Sequence, residues 1–129
     1  MRFRKEVIFK FTVEIYCDFE VIVSTIDAHD IPGRGVRDVK VKELWPQLSP
    51  REYTVISHMN GNRVEEFHHK IFVTIAELTP EVIVHELLHV CHIIMLQINM
   101  KLIRETEEPV AYLMGYLTKK TFEGLTAKK

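Results

Sequence analysis

Cysteine is scarce in this chain. Cys17 and Cys91 are the two cysteines in 129 residues, and neither belongs to a C-x-x-C pair, which excludes a zinc ribbon or dithiol redox site built on that motif. Both have apolar neighbours and read as reduced core thiols. Net charge is lacking too: a formal value of −1 gives no global electrostatic case for nucleic acid or a membrane surface as partner. Lys119, Lys120, Lys128 and Lys129 read as a solvated tail rather than a recognition patch. Long uncharged apolar runs are also missing. Lys10 and Glu14 interrupt the N-terminal stretch that would have to serve as the hydrophobic region of a signal peptide. His85, Glu86, His89 and His92 break the apolar segment later in the chain, so it is no membrane span. A cytoplasmic location is therefore expected. Glycine and proline number five each, and there is no repeat or low-complexity stretch. The loop at residues 30–35 has the spacing of neither a Walker loop nor a dinucleotide fingerprint.

What is present fits one soluble domain over residues 1–129, with 47% hydrophobic and 27% charged residues and length enough for a core without staples. The first part is rich in strand formers. Residues 7–16 alternate in part and carry many β-branched and aromatic side chains. Residues 19–26 fit a strand or a short helix, and residues 39–44 likewise. The segment 45–50 is a break, 53–57 a strand, Asn60-Gly61-Asn62 a turn, and 70–76 a clear strand. The pattern then changes. Thr79 suits an N-cap, Pro80 the first helical position and Glu81 the first turn. From 82 to 98 the chain is apolar nearly all round, as in a central buried helix. Thr106 can cap a second helix with Glu107 and Glu108 in its first turn and Pro109 still tolerated; Gly124 is its natural stop. The expected fold class is α+β: a small, mainly antiparallel N-terminal sheet, a buried helix, and a C-terminal helix antiparallel to it.

The buried helix carries His85-Glu86-Leu87-Leu88-His89, an H-E-x-x-H motif. Imidazoles four residues apart lie one above the other on a helix face, so both can reach one metal ion. Polar side chains amid Val, Ile and Leu are costly unless paired or coordinated, and zinc supplies that partner. Glu86, aimed elsewhere, suits a base rather than a ligand. A catalytic zinc needs a third protein ligand. Glu105, Glu107 and Glu108 offer one. Glu108 is favoured, because Ala111, Tyr112 and Gly115 follow on one face with two small residues that permit close approach to the first helix; Glu107 is the competitor. The same acids would also favour a helix N-terminus without any metal. His92 is about 10 Å along the axis from His85 at ~1.5 Å per residue and reads as a support or structural residue. His58, His68 and His69 read as surface histidines, and Tyr112 and Tyr116 as core packing before oxyanion donors.

The stretch from Thr79 through His85-Glu86-Leu87-Leu88-His89 to Glu107-Glu108-Pro109-Val110-Ala111-Tyr112-Leu113-Met114-Gly115-Tyr116-Leu117 resembles the zincin metallopeptidases. It has their gluzincin arrangement, and it is similar to small metallopeptidases of phage and prophage genomes. The resemblance covers residues 79–117. There is no metzincin extension, since Val90, Cys91 and His92 follow His89, and no C-terminal zinc ribbon. The resemblance implies a zincin-like fold, Zn2+ held by His85, His89 and Glu108, and Glu86 as the base and then acid in peptide-bond hydrolysis. It implies a peptide or protein substrate lying along the strand at residues 70–76. The competing expectation is a non-catalytic zinc-binding interaction module of zincin fold, supported by a size that leaves little room for a deep cleft. A third is a metal-free domain with packed histidines.

Overall fold

The computed structural model describes residues 2–4, 6–25 and 54–127. The loop expected at 30–35, the element at 39–44 and the break at 45–50 lie outside the described residues. The architecture is α+β. Among the described residues five strands, β1 (Ile8–Ile15), β2 (Cys17–Ser24), β3 (Thr54–Met59), β4 (Asn62–Phe67) and β5 (Lys70–Thr74), precede two helices, α1 (Pro80–Gln97) and α2 (Glu107–Thr126), the latter led by a 3-10 turn at Arg104–Thr106.

The strands form one sheet in the order β1-β2-β5-β4-β3. It is a mixed sheet, antiparallel as expected at three of its four pairings (β1/β2, β4/β5 and β3/β4) and parallel where β2 meets β5 at the centre. Residues 19–24, which fit strand or helix by pattern, are strand. β2 and β5 are interior, and their side chains are buried almost without alternation (Val21, Ile22, Val23; Ile71, Phe72, Val73). Interior strands covered on both faces lose the alternation that would have marked them. β4 is absent from the reading by pattern, because Asn62-Arg63-Val64-Glu65-Glu66-Phe67 is mostly polar. It is a strand because ladders on both sides bind it.

Turn chemistry sets the hairpins. Asn60 and Gly61 both take positive φ, 54° and 84°, which matches the right-handed twist of the β3/β4 hairpin. Tyr16 alone links the paired Ile15 and Cys17, at φ 65°. Thr79 does cap α1: its Oγ1 accepts from the Val82 N–H at 3.3 Å, with Pro80 following. Thr106 makes no cap bond to α2; its hydroxyl instead bonds back to the Lys101 and Ile103 backbone.

α1 buries one face, with Ile83, Leu87, Val90 and Ile94 fully covered, and leaves Val84 and Leu88 exposed, Leu88 at 60%. It is therefore a helix lying on a sheet rather than one enclosed on all sides. α2 contributes Val110, Leu113, Leu117 and Leu125 to the same apolar cluster, and the two helices touch. α2 runs past Gly124 to Thr126. Gly124 does not stop the helix: a Cβ there would lie 2.2 Å from the Phe9 ring, so the residue is small for packing. The N-terminus is tied to the same helix end by the Arg4 N–H on the Leu125 carbonyl at 2.7 Å. No helix among the described residues is long and apolar enough to cross a membrane.

Candidate metal centre on the first helix

Helical spacing stacks His85 over His89. Their ring centroids are 5.2 Å apart at 67°, with His85 exposed and His89 half-buried. The rings are thus presented next to each other at the helix surface, close to edge-on. Glu86 turns the other way. It is 3% exposed, and its Oε1 is buried with no hydrogen-bond partner. Burial pushes its carboxyl above the usual range, and the neighbouring His85 and His89 oppose that only in part. An unpartnered buried carboxyl is unfavourable by itself, so this is the least comfortable polar group on the helix.

The start of α1 is held by a residue whose role the sequence did not reveal. The Asn62 side chain is buried. Its Oδ1 accepts from the Ala76 N–H at 2.7 Å and the Glu77 N–H at 3.2 Å, and its Nδ2 donates to the Met59 carbonyl at 3.2 Å. It fastens the β3/β4 turn to the loop that launches α1. The Asn-Gly-Asn run showed only a turn; nothing in it announced a partner some fourteen residues on.

The third ligand is not brought alongside. Among the described residues, no three His, Cys, Asp or Glu side chains are grouped so as to hold a metal ion. Glu105, Glu107 and Glu108 are all exposed. Glu108 lines a shallow hollow of about 620 Å3 with Ala111, Tyr112, Gly115, Tyr116 and Lys119. The small residues thought to admit a close helix approach do not do so: a Cβ on Gly115 would meet nothing within 4 Å. At ~100° per residue, Glu108 stands nearly opposite Val110, which faces the core.

The other residues singled out by sequence resolve as follows. His92 is exposed on α1. His68 and His69 are exposed at the β4/β5 turn, the latter with its ring 4.8 Å from that of Phe19. His58 lies on β3, where its backbone pairs with Arg63. Tyr112 is no core residue, being 75% exposed, and Tyr116 donates its phenol to the Thr12 carbonyl at 2.8 Å. Lys119 and Lys120 belong to α2 rather than to a tail, and Lys120 sits 5.8 Å from the Tyr116 ring centroid; Lys128 and Lys129 lie outside the described residues. Cys91 is buried and Cys17 half-buried, both free thiols. The strand at 70–74 is bonded on both sides, by β2 and by β4, so it has no free edge on which a peptide could be added.

No protein-family model, no curated protein and no solved structure matches the chain.

Proposed function

We propose that this chain is a zinc-dependent metallopeptidase of zincin type. The observation that carries the reading is the arrangement on α1: two imidazoles side by side at 5.2 Å, and between them in sequence a buried carboxyl with an unpartnered oxygen. Neutral imidazoles at i and i+4 are suitable zinc donors, and the donor set of α1 fits such an ion. His85 and His89 would hold it, and Glu108, with Glu107 the competitor, would complete the set only by moving toward the pair, since neither is grouped with it here. A bound zinc would supply the Lewis acidity that lowers the pKa of water and polarises a peptide carbonyl. Glu86 would accept a proton and return it to the leaving nitrogen. Its upward-shifted carboxyl lies closer to the working pH of a base that must also act as an acid.

Elemental analysis of the purified protein tests the metal, with one zinc per chain expected and loss of it in His85→Ala and His89→Ala. Glu86→Gln should keep the zinc and abolish cleavage of a casein or peptide-library substrate. Cleavage surviving that change would remove Glu86 from its role. One observation favours a second reading, a non-catalytic zinc-binding interaction module: Glu108 is not grouped with the histidine pair. That reading expects zinc to be retained, no cleavage by the wild type, and partner binding indifferent to Glu86→Gln.

A further inference from the structure

Among the described residues β1 is an end strand of the sheet, and its outward-facing backbone groups can be identified. The Glu20 N–H donates to the His69 carbonyl at 2.9 Å, so Glu20 faces β5. Glu20 pairs with Thr12. Backbone groups of one strand residue point the same way, and this alternates along the strand. The N–H and C=O of Thr12 therefore point out of the sheet edge, as do those of Lys10 and Glu14. The Tyr116 phenol reaching the Thr12 carbonyl agrees with this.

Natural sheets blunt such edges with bulges, prolines or short strands. The opposite edge has one of these, a register irregularity between Val55 and Ser57. β1 has none: its eight residues contain no proline, and its register with β2 is continuous from Ile8↔Ser24 to Ile15↔Cys17. Beside the edge lies a groove of about 550 Å3 between β1 and α2, bordered by Thr12, Glu14, Tyr112 and Tyr116.

We propose that this edge pairs antiparallel with the same edge of a second copy of the chain, about a twofold axis at Thr12, so that two five-stranded sheets become one. Charge selects this occupant. With Thr12 opposite Thr12, Lys10 of each copy stands opposite Glu14 of the other, and Phe11 opposite Val13. Lys10, Thr12 and Glu14 are all exposed, and opposite charges directly across a ladder stabilise it. The register that matches the charges also makes all three residues hydrogen-bonded pairs, since their N–H and C=O groups face outward. The Thr12 carbonyl has two lone pairs, so it can serve Tyr116 and the facing N–H together. Glu20 has its own ion pair with Lys70 at 2.8 Å, so Lys10 is not needed there as its partner. The dimer does not depend on the metal reading.

Sedimentation velocity on the full chain over a concentration series tests this. The wild type should dimerise reversibly, and more weakly as salt rises. Thr12→Pro removes an N–H that β2 does not use, so it should give a folded monomer by circular dichroism. Lys10→Glu alone and Glu14→Lys alone should each raise the dimer dissociation constant on the order of 10-fold. Mixing those two variants should give a heterodimer, and both changes in one chain should restore the homodimer. If Thr12→Pro fails to fold, the charge-reversal set decides. A wild type monomeric at every concentration, a dimer indifferent to these changes, or no heterodimer on mixing would overturn the proposal. So would an edge that binds an extended foreign peptide but not a second copy.

Discussion

Glu86 is where a single residue carries the most consequence. Its carboxyl is raised by burial, so the folded state disfavours its charge. The sign follows: above the raised value the folded protein bears a penalty that the unfolded chain does not. That penalty fades as pH falls toward the ordinary carboxylate value of 4.5. Glu86→Gln should therefore stabilise the metal-free protein at neutral pH by ~1–3 kcal/mol. The gain should disappear near pH 4, as read by denaturant unfolding at each pH. A substitution that abolishes activity while stabilising the fold would mark a group retained for chemistry. Cys91 gives an independent check. Burial pushes its thiol up to about 11, so iodoacetamide at pH 8 should label Cys17 in the folded protein and spare Cys91 until the chain is unfolded.

At the scale of elements, α1 was legible because its signals are local. Thr79-Pro80-Glu81 mark its start within one turn, and the four-residue spacing of the histidines assures their stacking wherever the helix lies. β4 was not legible, because its strand character comes from neighbours on both sides and not from its own polar sequence. The stop assigned to Gly124 failed for a similar reason: a glycine looks alike whether it ends a helix or makes room for the Phe9 ring. Gly124→Ala should accordingly lower stability despite better helix propensity, the overpacking of ~1–3 kcal/mol outweighing the gain; thermal unfolding reads the sign. Asn62→Ala leaves the Ala76 and Glu77 N–H groups without their acceptor and should cost ~1–3 kcal/mol. Because that loop launches α1, the zinc affinity proposed for α1 should fall with it.

At the scale of the molecule, sheet and helices share an apolar cluster among the described residues, and anything binding only the folded state adds to its stability. On the proposed zinc-binding reading, the metal at 100 times its dissociation constant should contribute about 2.7 kcal/mol. The rise in Tm should vanish with chelator and in His85→Ala. By itself the sequence determined the α+β class, the capped helix and the paired imidazoles, because these depend on contacts within a turn or two of chain. Only the tertiary structure decided that Glu86 is buried with its Oε1 unpartnered and that Glu108 stands on an exposed face of α2. It also decided that the strand at 70–74 lies inside the sheet and that β1 is an end strand among the described residues. Each of these depends on which distant surfaces meet, and side-chain periodicity says which residues share a face without saying what that face will touch.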